Sequence, residues 1–216
     1  MDPLRIRYQT IAFGPMDIHV RTLWDCCQFQ DPGGKARRLG ISSAAWPMFG
    51  VIWDSGRVLA RLMLDYEIQG KSFLEIGCGI GLASLVLGRR GATVTATDHH
   101  PEAGAFLTEN IRINQTRPIP FVRTGWADET EGLGRYDVII GSDLLYEPDH
   151  DRLLSAFIQR HSHPACEVII VDPGRGNQNR FTREMETLGF AHSRRQPESG
   201  RDLEAPFKGL VLTYQR

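Results

Sequence analysis

One stretch of the chain, SFLEIGCGIGLASLVLGRRGATVTATD at residues 72–98, constrains its fold more than any other. It begins with an apolar run, Phe73 to Ile76, of the kind found in strands that are buried on both faces of a parallel sheet. Three glycines at alternate positions follow, and then an apolar segment typical of a helix. Residues 93–97 are rich in β-branched side chains and lead to Asp98. The stretch therefore predicts a strand–turn–helix–strand unit of an α/β fold.

The glycine-rich turn predicts a ligand site. Glycines let the backbone turn sharply and approach a ligand with no Cβ in the way, and the N–H groups that open the following helix face the same turn. Ligands of such folds bind at the carboxyl ends of the strands. We therefore expect one ligand site to contain Glu75, Gly77, Cys78, Gly79, Gly81 and Asp98.

The spacing of the glycines separates two classes of ligand. The dinucleotide fingerprint is G-x-G-x-x-G/A. Counted from Gly77 the sixth position is Leu82, and counted from Gly79 it is Ser84, so neither register fits. The pattern present is E-x-G-x-G-x-G. This pattern argues against a dinucleotide-binding site. The alternative to a cofactor-binding turn is a glycine-rich strand-to-helix turn of some other α/β domain.

This pattern, with Asp98 at the end of the second strand, resembles motif I of the class I (seven-strand) S-adenosylmethionine-dependent methyltransferases. The resemblance implies an α/β, Rossmann-like fold: a seven-stranded, mostly parallel sheet with helices on both faces. It also implies S-adenosylmethionine as the cofactor, with the glycine loop against its methionine portion and Asp98 on its ribose hydroxyls. A sulfonium ligand without phosphate suits a site beside Glu75 better than a pyrophosphate does.

Residues 136–146, YDVIIGSDLLY, form a second informative stretch. Val138 to Ile140 predicts another buried strand, and Ser142 and Asp143 follow it in the turn where a site is expected. Asp143-Leu144-Leu145-Tyr146 is similar to the D-x-x-Y motif of the protein-lysine methyltransferase branch of that family. The two leucines distinguish it from the N/D-P-P-Y motif of amino-adenine and glutamine methyltransferases.

A shorter match lies further along the chain. Asp172-Pro173-Gly174-Arg175 follows the fifth predicted strand and is similar to the electron-transfer-flavoprotein lysine methyltransferase subgroup. This match is weaker evidence than the D-x-x-Y motif, because Pro-Gly is common in turns. The resemblance implies N-methylation of a lysine side chain on a partner protein. The alternatives are a small-molecule amine N-methyltransferase of the same fold and a non-catalytic module that binds the cofactor.

Aromatic residues give two further candidates for the cofactor site. The resemblance places adenine near the turn after the third strand, where the Trp126 indole can stack on a purine and the Asp128 carboxylate can accept from its amine. Upstream, Trp46-Pro47 is similar to a pair found in seven-strand lysine methyltransferases and predicts a cover over the cofactor. The structural alternatives are that Trp126 caps the sheet edge and that Trp46 covers one end of the core.

Asp143 and Tyr146 are the candidate catalytic residues. A lysine amine must lose a proton before it can accept a methyl group, because its free pKa is about 10.4. Asp143 can orient the amine and stabilise the charge that grows on nitrogen, and Tyr146 can line the acceptor pocket. The alternative is that Asp143 only caps the following turn and Tyr146 only packs.

The beginning of the chain predicts an addition to the main domain. Residues 5–24 contain two segments of alternating polarity around Gly14-Pro15, which is typical of a β-hairpin. Residues 25–45 are polar and small and predict a loop. We therefore expect a hairpin-and-loop appendage at 1–45 and a methyltransferase domain at 46–216.

Composition narrows the class of protein. The 216 residues carry a formal net charge of −1, which does not indicate the basic face of a nucleic-acid-binding protein. A membrane span needs about 20 consecutive apolar residues, and no such run is present. The four cysteines are not in C-x-x-C spacing, and the histidines do not indicate a metal site. Without a signal-peptide pattern at the start, we expect a protein of the reducing cytoplasm.

Overall fold

A computed structural model describes residues 4–216, except residues 32, 131, 148, 198–202 and 204. The strands in this part of the chain are β1 (Ile6–Phe13), β2 (Met16–Leu23), β3 (Ser72–Ile76), β4 (Thr93–Asp98), β5 (Phe121–Arg123), β6 (Tyr136–Ser142), β7 (Ser162–Asp172), β8 (Ala191–Arg195) and β9 (Leu210–Gln215). The helices are α1 (Lys35–Arg38), α2 (Asp54–Asp65), α3 (Leu82–Arg89), α4 (Ala103–Asn114), α5 (His150–His161) and α6 (Gln178–Thr187), with a 3₁₀ helix at Ser43–Met48. None of the helices in the described ranges is long and apolar enough to cross a membrane.

The main sheet has seven strands in the order β5-β4-β3-β6-β7-β9-β8. β9 runs antiparallel to both of its neighbours, and the other pairs are parallel. Strand order reverses between β3 and β6, so the carboxyl ends of these two strands open a crevice for a ligand. The predicted seven-stranded, mostly parallel sheet is confirmed.

Helices cover both faces of this sheet because its central strands are apolar on both sides. In β6, Val138 and Ile140 belong to the core on one face, whereas Ile139 belongs to the core on the other. The first core includes side chains of α2, α3 and α4, and the second those of α5 and α6. Strand residues therefore alternate between two cores, as period-two geometry requires.

The predicted N-terminal hairpin is also confirmed, since β1 and β2 pair antiparallel from Ile6↔Leu23 to Phe13↔Met16. Two asparagines of α4 hold its edge: Asn110 Oδ1 accepts the Arg21 N–H at 2.7 Å, and Asn114 Oδ1 accepts the His19 N–H at 2.9 Å. Its inward side chains, Ile11, Phe13, Ile18, Val20 and Leu23, share the core of the first face. The hairpin is thus packed into the domain, and a boundary at residue 45 stays a prediction.

The segment predicted as loop, residues 25–45, contains the short helix α1. Asp31 explains it, because its carboxylate accepts the N–H groups of Ala36 and Arg37, both at 3.0 Å. These contacts satisfy donors at the start of a helix that would otherwise be unpaired. The single turn was not predicted because its cap lies several residues upstream of the helix.

Candidate active site

A cavity of about 480 Å³ lies at the carboxyl edge of the sheet, against the ends of β3, β4 and β6. It is lined by ten of the twelve residues predicted for the site: Glu75, Gly77, Cys78, Gly79, Asp98, Trp126, Asp128, Ser142, Asp143 and Tyr146. The two stretches singled out in the sequence therefore meet, although more than 60 residues separate Gly77 from Asp143. Gly81 and Trp46 do not line it.

The three glycines of the turn all have positive φ, but their surroundings differ. A Cβ on Gly79 would meet no atom within 4 Å, so this glycine leaves open space beside the cavity. A Cβ on Gly77 would come within 2.5 Å of Leu144 Cδ2, and one on Gly81 would collide with Leu107. Gly79 therefore keeps room for a ligand, whereas the other two permit close packing.

Glu75 lies at the base of the turn and is buried. Its Oε2 accepts both the N–H of Ser84, at 2.8 Å, and the Ser84 hydroxyl, which joins β3 to the first turn of α3. Burial raises the pKa of the Glu75 carboxyl to about 7, against the opposing effect of the two hydrogen bonds from Ser84. Glu75 thus lines the cavity and also positions the helix that follows.

Asp98, at the end of β4, binds the glycine turn from the other side. Its Oδ2 accepts the Gly79 N–H and its Oδ1 accepts the His100 N–H, both at 2.7 Å. Burial raises the pKa of its carboxyl, while these backbone N–H groups act to lower it. Each oxygen keeps a further lone pair, so the carboxylate can accept hydroxyls from a ligand.

The aromatic wall of the cavity includes a residue that the sequence did not predict. The His150 ring lies 4.8 Å from Trp126 and 4.6 Å from Tyr146, edge-on to both. Its Nδ1 pairs with the Leu144 carbonyl at 2.8 Å, which fixes it beside the D-x-x-Y turn. Trp126 is partly exposed, as a ring that is to stack on a ligand must be. Asp128 accepts the Gly125 N–H at 2.7 Å and holds the Trp126 turn.

Asp143 has an unusual backbone and a charged partner. Its φ is +55°, a conformation that Asp tolerates better than most residues, and its N–H donates to Val171 O at 2.9 Å. Arg175 binds both of its carboxylate oxygens, with Nη2 to Oδ2 at 2.8 Å. The sequence contained one signal for this pair. Residues that follow the ends of neighbouring parallel strands, here β6 and β7, lie at the same edge of the sheet.

The structure does not bring Trp46 to the cavity. Its indole packs edge-on to Phe29, 6.0 Å between ring centres, and its buried Nε1 has no hydrogen-bond partner among the described residues. The 3₁₀ helix at Ser43–Met48 contains Trp46 and turns it towards the core, so residues 48–53 line the cavity instead. The position of Trp46 therefore agrees with the structural alternative, in which it covers one end of the core.

This chain is similar in sequence to known lysine methyltransferases. A family model described as lysine methyltransferase matches residues 43–187. The chain is 31% identical over 164 residues to the electron transfer flavoprotein beta subunit lysine methyltransferase of Mus musculus, covering 74% of this chain and 61% of the relative. It is 33% identical over 156 residues to protein N-lysine methyltransferase METTL21A of Xenopus tropicalis, covering 67% and 71% respectively.

Solved structures share the fold at low sequence identity. The ribosomal protein L11 methylase from Lactobacillus delbrueckii subsp. bulgaricus has a TM-score of 0.61 at 19% identity, over 79% of this chain and 82% of that one. The T. thermophilus 16S rRNA N2 G1207 methyltransferase has a TM-score of 0.63 at 14% identity, over 99% and 51%. The chain spans 61% of the length of the mouse relative. On the family match and the Xenopus tropicalis relative, this chain belongs to the lysine methyltransferase family.

Proposed function

We propose that this protein transfers a methyl group from S-adenosylmethionine to the side-chain amine of a lysine on a partner protein. One observation carries the proposal: the glycine turn and Asp98 share a single cavity with Asp143 and Tyr146. A donor site and an acceptor site at one cavity are what group transfer requires, because its catalysis depends on alignment. Membership of the lysine methyltransferase family supports the choice of acceptor.

The cavity residues fit S-adenosylmethionine by their chemistry. Asp98 offers carboxylate oxygens to a ribose, Trp126 offers a partly exposed ring to adenine, and Gly79 leaves open space at the turn. Ser142 and Asp128 add polar groups to the lining. When bound, the cofactor supplies an electrophilic methyl group.

Asp143 and Tyr146 act on the acceptor. Asp143 accepts an N–H of the amine through the lone pairs that Arg175 leaves free, and so orients the nitrogen towards the donor. Tyr146 presents an aromatic face that stabilises the positive charge growing on nitrogen. Partial burial of the phenol and the nearby carboxylates raise the pKa of Tyr146 to about 12, so it stays protonated and can donate a hydrogen bond.

The mouth of the cavity favours an acceptor on a macromolecule over a small amine. Three large side chains of its lining remain exposed, Trp53 at 36%, Tyr146 at 36% and Leu153 at 39%. Exposed apolar side chains that surround a pocket are typical of a protein-binding surface. Relatives of this chain are named for methylating the electron transfer flavoprotein beta subunit, which is therefore the first substrate to try.

Transfer of a labelled methyl group from the cofactor tests the proposal. We expect labelling of a lysine in a purified electron transfer flavoprotein beta subunit or in a single protein of a cell lysate. Asp143→Asn and Tyr146→Phe should lower turnover while binding of S-adenosylhomocysteine, measured by calorimetry, stays normal. Asp151→Asn and Tyr8→Phe are matched controls outside the cavity. Absence of S-adenosylhomocysteine binding would contradict the proposal. Binding of S-adenosylhomocysteine without any methyl transfer would favour the non-catalytic module.

We also propose that the protein works in the reducing cytoplasm. The support is that all four cysteines are free thiols, two of them, Cys78 and Cys166, buried. Disulfides are rare in that compartment. Fractionation of the source cells followed by immunoblotting tests this, and recovery from an oxidising compartment would contradict it.

A further inference from the structure

Asp143 is not a lone negative charge in the cavity wall. Arg175 donates from Nη2 to Oδ2 at 2.8 Å and from Nε to Oδ1, so the guanidinium binds both carboxylate oxygens. The Asp143 side chain is 7% exposed and that of Arg175 is 36% exposed. Asp143 lines the cavity, whereas Arg175 is not among its lining residues. The guanidinium therefore reaches the carboxylate from outside the space that a substrate would fill.

The turn after β7 holds Arg175 in this position. Asp172 Oδ1 accepts the N–H of Gly174 at 2.7 Å, the N–H of Arg175 at 3.3 Å and the Gln178 side-chain amide at 2.7 Å. Gly174 has a φ of +99°, which side chains larger than hydrogen rarely adopt. The Asp143 N–H is tied to β7 as well. Both partners are thus held by backbone contacts before a substrate arrives.

The pair matters because only a neutral amine can accept a methyl group, whereas free lysine is almost entirely ammonium at neutral pH. An unpaired carboxylate within about 4–6 Å would stabilise the ammonium and raise its pKa by about 1–3 units. It would then hold the acceptor in its unreactive form. A guanidinium on the same carboxylate offsets much of this field, and the remaining lone pairs can still accept an N–H of the amine.

We propose that Arg175 is a positioning residue that neutralises Asp143, so that Asp143 orients the acceptor amine without stabilising its ammonium form. The inference rests on the proposed methyl transfer to lysine and identifies a residue that sets the protonation state of the acceptor. Arg175 acts through Asp143 and has no contact with the reacting atoms in this scheme.

Other titratable groups face this end of the cavity or the pair itself. They are Glu75 on β3, Asp98 on β4, His99 after it, Tyr146, Glu147 and His150 near the start of α5, and Asp172 at the end of β7. All of them are retained when Arg175 is replaced. A difference between wild type and an Arg175 variant therefore reports the guanidinium.

The pH profile of kcat tests the inference, because it reports pKa values of the enzyme–substrate complex. The probe is the electron transfer flavoprotein beta subunit, assayed between about pH 6 and pH 10 across the range in which a bound lysine titrates. Arg175→Gln should move the apparent pKa upwards by about 1–3 units. It should lower kcat at neutral pH by about tenfold or more, with recovery towards the wild-type rate at high pH. Arg175→Lys retains the charge and should keep the apparent pKa close to the wild-type value.

A matched control is Arg180→Gln. Arg180 pairs with the buried Asp151 at 3.0 Å, outside the cavity, and its loss should leave the apparent pKa unchanged. A purely structural role for Arg175 predicts a loss of rate by the same factor at every pH, and that result would overturn the inference. An Arg175→Gln profile that superimposes on the wild type, with normal S-adenosylhomocysteine binding, would overturn it too.

A second readout needs no turnover. Nα-acetyl-lysine amide, labelled with ¹³C at Cε, is followed by NMR over a range of pH in the presence of protein and S-adenosylhomocysteine. The chemical shift of the labelled carbon reports the equilibrium between ammonium and amine. The bound pKa should be higher with Arg175→Gln than with wild type, and equal values would overturn the inference. A wild-type protein that fails to transfer methyl groups counts against the proposed function alone, because this comparison does not depend on transfer.

Discussion

A single carboxylate oxygen of Glu75 accepts two hydrogen bonds from Ser84 across the glycine turn. Glu75 Oε2 accepts both the backbone N–H and the hydroxyl of Ser84, so the end of β3 is bound directly to the first turn of α3. The carboxyl is buried, and its pKa is raised to about 7 by that burial and, to a smaller extent, by the charge of Asp98. Near neutral pH the group is therefore poised between its protonated and ionised forms.

Binding of S-adenosylmethionine at pH 7 should release a proton from Glu75. A cation in the cavity favours the ionised carboxylate and lowers its pKa, so up to about half a proton per site leaves the protein. Calorimetry in two buffers of different ionisation enthalpy measures this release. Glu75→Gln should abolish it, and S-adenosylhomocysteine, which lacks the sulfonium charge, should release less. Equal binding enthalpies in the two buffers would contradict the prediction.

Gly79→Ala should weaken cofactor binding and destabilise the fold only moderately. Its Cβ would meet no protein atom, so the stability cost is that of a side chain at positive φ, about 1–2 kcal/mol. The methyl group would stand beside the cavity and lower S-adenosylhomocysteine affinity by roughly tenfold, or about 1.4 kcal/mol.

Gly77→Ala is the matched comparison. It adds a collision with the buried Leu144 to the same backbone cost, so its midpoint of thermal unfolding should fall further than that of Gly79→Ala. A Gly79→Ala protein with wild-type affinity would show that the turn does not contact the ligand.

Asp98→Asn should lower cofactor affinity by roughly tenfold or more, because the amide offers one acceptor oxygen where the carboxylate offers two. The N–H groups of Gly79 and His100 now bind separate oxygens, so one of them would also lose its partner. Asp137→Asn is the control, since Asp137 accepts the Ser72 N–H and hydroxyl at the opposite edge of the sheet. The control should change stability without changing affinity, as measured by calorimetry.

His100 should make the protein lose stability as the pH falls from about 6.5 to about 4. The ring stacks on Phe49 at 3.7 Å, and burial lowers its pKa to about 4, so the folded state binds fewer protons than the unfolded state in this window. The loss can reach about 3 kcal/mol. Denaturant unfolding at several pH values measures it.

Glu75 contributes with the opposite sign between about pH 4.5 and 7, because its pKa is raised in the folded state. The informative comparison is therefore with His100→Asn, which removes the titrating ring. The variant should be less stable at neutral pH but show a smaller loss on acidification. Parallel pH dependences of the two proteins would contradict the assignment to His100.

Several features of the site could be predicted from sequence because they are local. The run from Phe73 to Asp98 needs only an apolar strand, glycines at positive φ and a second strand, and all of these are properties of neighbouring residues. The placement of Asp98 then follows from the rule that parallel strands present their carboxyl ends at one edge. The D-x-x-Y turn was predicted for the same reason, as it directly follows a buried strand.

Tertiary structure decided the features that join distant parts of the chain. The Asp143–Arg175 pair requires β6 and β7 to be neighbours, and the place of His150 between Trp126 and Tyr146 requires α5 to begin beside the cavity. Trp46 was assigned to the cavity by motif, but the direction of its ring depends on a 3₁₀ helix and on the position of Phe29.

The sequence by itself thus determined the glycine loop, the strands that flank it and the places of Asp98 and Asp143 after their strands, because backbone conformation and apolar period are encoded locally. The complete seven-stranded sheet was an implication of the family resemblance. Which charges neutralise one another was decided only by the folded chain. A carboxylate and a guanidinium 32 residues apart interact strongly only when the sheet brings them within hydrogen-bond distance. In this protein, that distance is what turns Asp143 from a lone acid into one half of an ion pair.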